Sequence, residues 1–483
     1  MACSQQFKTR IDMKSLFLTT FFILFALFLS AQNKLSLKQA IETGIANNLE
    51  VNQAGLNAQK ANINLKQARA NMLPDLNATA NHGVNQGRSI DPITNGFINQ
   101  QFNYASYGAS SNILLFNGLS VQNNIKGNAL AYDASKMELQ QAKDNLTINI
   151  ILAYLQVLSS QDILTRSKDQ SIVTGKQVDR LKILNDAGAI KPADYYDLKG
   201  QYANDEIAIV ENEASLETAK LNLAQLLNIP YDKNLDVERL PEESFNSKYD
   251  NTPEKIYQTA LTQFAQIKSV HLRSLSAAKQ VRSIKGELYP SLFLGGNVNT
   301  NFSSAATQQF FVSSADVATS DYVVVNGTNQ PVITKQNTYN SQKIDYGKQL
   351  NNNLFTSVNL GLSIPIFNAN KVRNRIRTAK IDQKNFELIE QNTKTVLQQS
   401  IERAYVNLTS TSNKYRILTG QVESFTESFR GAEVRFNAGA ITSVDYLIAK
   451  NNLDRSNNNL IIAKYDFVLR TKILDYYEGK SLW

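Results

Sequence analysis

Apolar positions along this chain follow two different periods. From residue 355 the sequence reads FTSVNLGLSIPIF, placing Val358, Leu360, Leu362, Ile364 and Ile366 on one face and Ser357, Asn359, Gly361 and Ser363 on the other. A period of two is what a strand with one apolar and one wet face requires. LFLGGNVN (Leu292, Leu294, Gly296, Val298) and YGASSNILLF repeat the pattern more weakly. The reading is two strands per half, four in all, joined by long polar loops. After each strand end the period becomes seven. Ile125, Tyr132, Leu139, Leu146 and Ala153 keep it in one half; Ile401, Leu408, Tyr415, Val422, Phe429 and Phe436 keep it in the other. No proline interrupts 118–186 or 371–438, so each run predicts one helix on the order of 100 Å long at 1.5 Å per residue. Return helices follow, with Leu198, Tyr202, Ile209 and Leu216 in one and Tyr446, Leu453, Leu460, Phe467 and Leu474 in the other. Heptads sustained this far predict coiled-coil packing rather than a globular core.

The two halves are copies. ILNDAGAIKPADYYDLK at 183 returns as VRFNAGAITSVDYLIAK at 434, so Gly188, Asp194 and Tyr195 match Gly439, Asp445 and Tyr446 at an offset of 251. Ala153-Tyr154 and Ala404-Tyr405 keep that offset, as do Leu115-Phe116-Asn117 and Ile366-Phe367-Asn368. Earlier in each half the offset is 216, from Ser36 to Thr252 and from Pro74 to Pro290. The second half therefore carries 35 extra residues between Pro290 and Phe367, in the polar stretch 300–350. Ser36-Leu-Lys-Gln39 is a capping box, and Thr252-Pro253 is an N-cap with proline at the first helical position. These opening helices are expected to run to the prolines at 74 and 290. Ala187-Gly188 and Ala438-Gly439 close the long helices, glycine taking the left-handed position after the last turn, and Pro192 and Ser443 open the return helices. The repeated stretch is thus the tip of an α-hairpin, present twice.

Composition adds less. A chain of 483 residues with 42 % hydrophobic content is a folded protein with room for two to four ordinary domains. Its net charge of +8 admits an anionic partner, yet no five like charges stand together, and a nucleic-acid ligand is not supported. Lys14 ahead of LFLTTFFILFALFL (Leu16 to Leu29), then Ser30 and Ala31, reads as a secretory signal ending at Ala31, either with an extended start or with Met13 as the true first residue. No other stretch reads as a membrane helix. Cleavage would remove Cys3, the only cysteine, and lower the net charge to +6. The exported chain then folds without disulfides.

Four amphipathic strands are too few to close a barrel, for which about eight is the minimum, and a bilayer tolerates no open sheet edge. Strands of this kind in a membrane require several copies sharing one barrel. With LSLKQAIETGIANNLEV, the paired LPDL and YPSL, the paired LFNG and IPIFNAN, and both AGA(I)xxxDY tips in order, residues 33–478 resemble the TolC family of outer-membrane efflux proteins. The resemblance implies a mainly α fold with a small β part: duplicated long α-hairpins forming a coiled-coil tunnel, plus four strands contributing to a trimeric twelve-stranded outer-membrane β-barrel. It further implies a homotrimer in outer-membrane lipid with a periplasmic tunnel. Drugs or polypeptides would leave passively through it, when a periplasmic adaptor and an inner-membrane RND or ABC pump dock. On that plan the chain divides into a signal peptide (1–31), N-terminal equatorial or tunnel helices (32–73), first-repeat barrel strands (74–117) and first hairpin (118–228). An equatorial connector (229–252), a tunnel helix (253–289), second-repeat strands with their insertion (290–368), a second hairpin (369–478) and a tail (479–483) complete it.

The resemblance also points to inward aspartates at the tunnel entrance. Asp445 matches the first family position, whereas the second is Ile448, and a basic residue frequent after the tip glycine is replaced by Ile441. The first hairpin offers Asp194 and Asp197 at matching places. The competing reading is that these carboxylates merely suit the positive end of a helix dipole. Lys371, Arg373, Arg375 and Arg377 cluster after a strand end, either as a solvated helix start or beside lipid phosphates at the periplasmic edge of the barrel. No catalytic constellation, cofactor motif or metal cluster stands out: His82 and His271 are isolated, Ser276-Ala-Ala-Lys279 lacks partner motifs, and no phosphate-binding glycine loop occurs. The alternative to an export channel is a periplasmic coiled-coil scaffold or adaptor without its own pore. The alternating strand faces favour the channel.

Overall fold

In a computed structural model of the protein, residues 34–90, 95–241, 249 and 251–480 are described. The secretory segment, Cys3 and Trp483 lie outside them. The first half runs α1 (Leu37–Asn47), α2 (Leu49–Ala70), β1 (Asn77–Asn85), β2 (Arg88–Ile90), β3 (Phe97–Asn99), β4 (Phe102–Asn117), α3 (Ser120–Asp186) and α4 (Pro192–Leu227). The second runs α5 (Pro253–Gln263), α6 (Ala265–Gly286), β5 (Ser291–Ser303), β6 (Thr307–Val325), β7 (Thr328–Lys343), α7 (Tyr346–Asn352), β8 (Phe355–Ser363), α8 (Lys371–Asn437) and α9 (Ser443–Tyr477). The chain is mainly helical, and the described residues form two compact units, those within 34–59, 133–271 and 388–480 in one and those within 60–132 and 272–387 in the other.

The first unit is built from helices, and its core repeats with the sequence. Leu146, Ile150, Ala153 and Val157 of α3 are buried, and so are Leu397, Ile401, Ala404 and Leu408, their counterparts 251 residues on in α8. Leu216 and Leu223 of α4 answer Phe467 and Leu474 of α9, while Val51 answers Ile267 at the offset of 216. Each copy closes its own apolar cluster around these positions. Deleting one such side chain costs about 2–5 kcal/mol, more than any helix-propensity term, so packing of the heptad stripe holds these helices. Pairing also ties in the connector: Leu35 bridges Val237 in parallel, and the buried Tyr154 hydroxyl donates to the Leu35 and Glu238 carbonyls at 2.9 and 2.7 Å.

The opening helices differ from expectation. Each is broken once, at Asn48 and at Phe264, both with extended backbone and again 216 residues apart. The Ser36–Gln39 capping box is formed. Asn48 restarts the helix by accepting the Glu50 and Val51 amides at 2.9 and 3.1 Å. Phe264 instead buries its ring, edge-on to Tyr476 at 4.9 Å. The helices end at Ala70 and Gly286, short of the prolines.

The second unit holds an antiparallel sheet in the order β1-β4-β5-β8. Among the described residues there are eight strands, not the four expected: β2–β3 and β6–β7 are separate hairpins within the stretches read as polar loops. The longer one, Thr307↔Lys343 at its base, falls where the extra residues of the second half were located. β8 stops at Ser363, so Ile364 and Ile366 lie past the strand. Pro365, lacking an amide hydrogen, stands two residues past the end of the ladder. Among the described residues one helix, α3, has a segment apolar and long enough to cross a membrane, which the sequence reading did not separate out. Its apolar run Ile150 to Leu158 is mostly packed inside the first unit.

Gly118, ending the β4 connection, and Gly286, ending α6, meet backbone to backbone. A Cβ at Gly286 would lie 2.8 Å from the Gly118 carbonyl oxygen and the Ser120 amide nitrogen. We expect Gly286→Ala to lower stability by about 1–3 kcal/mol through overpacking. Gly420→Ala, whose Cβ meets nothing within 4 Å, should be neutral or stabilising. Thermal unfolding midpoints of the purified variants check both.

Candidate functional site

Both hairpin tips fold by the same local rule. Gly188 and Gly439 adopt φ of +68° and +71°, a region an L side chain enters only at a cost. Gly188 N donates to Asn185 O at 2.9 Å and Ala189 N to Leu184 O at 2.8 Å; Gly439 and Ala440 do the same to Phe436 and Arg435. This pair of bonds satisfies the last carbonyls of each long helix. The return helices start differently. Pro192 opens α4 without a side-chain cap. In α9 the cap is Thr442, not Ser443: its hydroxyl accepts the Asp445 amide at 3.2 Å while Asp445 Oδ2 accepts the Thr442 amide, a closed capping box. The spacing Thr442-x-x-Asp445 was the signal for it.

The three candidate aspartates therefore have protein partners. Asp445 also accepts the Thr442 hydroxyl at 2.8 Å, and these bonds hold its carboxyl below the usual carboxylate range while the side chain remains in solvent. Asp194 accepts the Ser443 amide at 3.2 Å, and Asp197 accepts the Ser443 hydroxyl at 2.8 Å. One tip is thereby tied to the other. Arg180 adds a second tie, donating to the Asn437 carbonyl at 2.8 Å. Leu181 and Leu198 from the first hairpin pack with Phe436 and Tyr446 from the second beneath these links. Tyr446 stacks on Phe436 with ring centres 4.7 Å apart. A cleft of about 790 Å³ lies between the tips, with Arg180, Asp194, Asp197 and Ser443 on its wall. Ile441 joins the apolar cluster, and Ile448 is exposed.

Deeper along the hairpins is a buried ionic cluster that the sequence reading missed. Lys450 Nζ lies 3.1 Å from Asp205 Oδ2 and 2.7 Å from Asp454 Oδ2, with the lysine side chain only 3 % exposed. Thr174 and Gln201 donate to Asp205 at 2.5 and 2.7 Å. Burial pushes the Asp454 carboxyl above its usual range, against the pull of Lys450. The cluster joins α3, α4 and α9. Its sequence signal was a lysine one turn after Tyr446, beside the apolar seam, with aspartate four residues on.

Lys371, Arg373, Arg375 and Arg377 all lie exposed on the first turns of α8. Val372, Ile376 and Ala379 on the opposite side pack against Val281 and Ile284. Arg375 also bonds Glu287. Among the described residues no three His, Cys, Asp or Glu side chains are grouped to hold a metal.

The sheet has two chemically different faces. Register rows Leu362–Leu292 and Leu360–Leu294–Ile113 line one face; Asn359–Gly295–Asn112 and Ser357–Asn297–Ser110 line the other. Val358, Leu360 and Leu362 are at least 62 % exposed. The sheet is wet on one face, apolar and uncovered on the other and open at both edges, the two-faced pattern that strands of membrane barrels share. It is joined in one chain to duplicated helical hairpins.

The comparisons agree. Residues 40–228 and 256–472 match the family model described as outer membrane efflux protein, and the chain belongs to that family, which is not a family of enzymes. It is 21 % identical to the outer membrane protein TolC of Escherichia coli (strain K12) over 461 residues, 92 % of this chain and 83 % of that protein. It is 19 % identical to the toxin and drug export protein A of Aggregatibacter actinomycetemcomitans, covering 92 % and 87 %. The fold matches the outer membrane protein VceC of Vibrio cholerae with a TM-score of 0.73 at 14 % identity, over 92 % of this chain and 97 % of that one.

The ionic cluster gives a test. Lys450→Met leaves two carboxylates facing each other without a cation and should cost about 3–5 kcal/mol. Changing Asp205 and Asp454 to leucine together with Lys450→Met should recover most of that loss, as read by chemical denaturation of the three proteins.

Proposed function

We propose that the chain is the outer-membrane exit duct of an efflux or type I secretion system, passing small molecules or polypeptides without chemistry of its own. The observation carrying this reading is the open sheet. β1 and β8 each leave one ladder edge unpaired, and hydrocarbon offers those amides and carbonyls no partner. Three copies pairing β8 of one with β1 of the next complete twelve strands, the number the family resemblance implies. Exposed apolar residues on the helices support the same assembly: Leu49, Leu56 and Ile63 recur every seven residues and are at least 63 % exposed, a heptad stripe left uncovered among the described residues. A scaffold without a pore would leave the two-faced sheet unexplained.

On this reading the exported chain lies in the outer membrane with its hairpins in the periplasm, where an adaptor and an RND or ABC pump supply the energy. Lys371, Arg373, Arg375 and Arg377, fixed on the solvent face of α8, suit lipid phosphates at the barrel's periplasmic edge. We assign Asp445 to a single acidic ring at the entrance. Its cap uses Oδ2, which leaves Oδ1 available to cations, whereas Asp194 and Asp197 are committed to Ser443 and serve to hold the tips together.

Two measurements test the reading. Fractionated membranes followed by native mass in detergent should recover the protein from the outer membrane as a trimer; a soluble periplasmic monomer or dimer would sink the channel. In planar bilayers, Asp445→Asn should weaken block by divalent cations. Because the Thr442 hydrogen bonds hold the folded carboxyl below its ordinary range, the wild-type block should persist through the range where a free aspartate protonates and disappear only as pH falls through the lowered value. Equal block in both proteins at neutral pH would remove Asp445 from the gate.

A further inference from the structure

The strands β1, β4, β5 and β8 contain no Asp, Glu, Lys or Arg, and they contain five glycines. Register places Gly83, Gly108, Gly295 and Gly361 on the wet face and Gly296 on the apolar one. Glycine inside a strand costs chain entropy and gives up side-chain packing. Four on one face need a reason.

Each of the four has a larger side chain directly across the ladder, and that side chain lies over it. A Cβ at Gly83 would stand 2.7 Å from the Tyr104 hydroxyl, and one at Gly108 would stand 2.6 Å from Asn299 Oδ1. Asn112 and Asn359 reach Gly295 from its two neighbouring strands, each with an amide oxygen 2.9 Å from where a Cβ would be. Gly295 is buried beneath them. At Gly361 the Phe293 ring fills the place of a Cβ outright. On the other face, a Cβ at Gly296 would come no nearer than 3.9 Å to anything, there the Ser357 carbonyl oxygen.

Side chains ordinarily stand off a sheet, roughly perpendicular to it. These five recline on the backbone beside them, and only glycine leaves that space. A ring laid over glycine restores some of the stability the glycine lost. That account does not extend to the three asparagines, whose amides offer little apolar area to bury. What tyrosine, phenylalanine and asparagine share here is that each lies flat.

We propose that these glycines set the bore of the duct. In the trimer proposed above the apolar face meets lipid and the wet face lines the passage, and each flat side chain recurs three times at one level. Lying down, the side chains leave the passage wide; standing, they would close it from three sides. With no fixed charge on the strands, this stretch discriminates by cross-section and admits bulky cargo of either sign. The inference rests on the exit-duct reading and deepens it: the barrel selects by size, whereas the acidic tips act on charge.

Single-channel conductance of the full chain in planar bilayers tests it, with polyethylene glycols of graded mass added only on the side opposite the hairpins. The polymers then probe the barrel without passing the tips. Gly361→Ala should force the Phe293 ring off the wall and roughly halve the largest polymer mass admitted. Adding Phe293→Ala to that variant should restore the wild-type limit, and Gly296→Ala on the lipid face should not move it. Gly361→Ala channels with the wild-type limit, a limit that Phe293→Ala fails to restore, or an equal shift in Gly296→Ala would each overturn the proposal and leave the exit duct standing. If Gly361→Ala does not assemble, Phe293→Ala alone decides. With the ring already flat, its removal should leave the limit unchanged, whereas a limit raised by roughly twofold or more means that the ring stood in the passage and overturns the proposal. A wild-type chain that forms no trimeric channel removes the exit duct and the glycine-set bore together.

Discussion

A peptide group in hydrocarbon must find its hydrogen bond within protein, and the rest of this molecule follows from that constraint. β1-β4-β5-β8 satisfies its inner ladders and leaves two edges. In water such edges can be blunted with charge or proline; here β1 and β8 carry neither. On the reading proposed above the sheet is a fraction of a closed barrel, and the unit that folds is smaller than the unit that functions. The same incompleteness recurs on the helices, where heptad positions divide into those filled within the chain, such as Ile150 and Ile401, and those left open, such as Leu56.

Duplication is the economical way to make such an object. Burial of Ile150 with Ile401, and of Leu223 with Leu474, means that one solution to packing a long helix against its return was used twice. The copies diverge where they meet. Asp194 and Asp197 of the first tip reach Ser443 of the second, and Asp205 of the first return helix reaches Lys450 of the other. The repeat-related position of Asp205, 251 residues on, is Ser456, and that of Lys450 is Lys199, so the ion pair is not duplicated.

This division explains what was legible in the sequence. Heptads, caps and tip glycines are local rules, readable from spacing alone, and the offset between halves located the insertion. The interruptions at Asn48 and Phe264 were not readable, since neither residue is a breaker by type. One is enforced by its own side chain capping the next turn, the other by a ring drawn into a tertiary cluster. β1, reading NATANHGVN, has too few apolar residues for a period and becomes a strand only through its register with β4. β6 and β7 alternate serine, threonine and asparagine with valine on both faces, so no face stands out and the stretch reads as loop. At the tips, Ser443 does open the return helix, and the capping box of Thr442 with Asp445 just ahead of it was there to be read in the spacing.

The gate reading turns on a competition at Asp445. A carboxylate has about four lone-pair sites, and the capping box occupies one oxygen. Three such groups on a cyclic axis would repel one another and favour protonation, while the Thr442 bonds and nearby Arg435 favour the charged form. The cap therefore does more than end a helix. In the acidic ring proposed above, the cap favours the ionised carboxylate against repulsion between copies, so capping the helix and binding a cation at Asp445 are compatible roles.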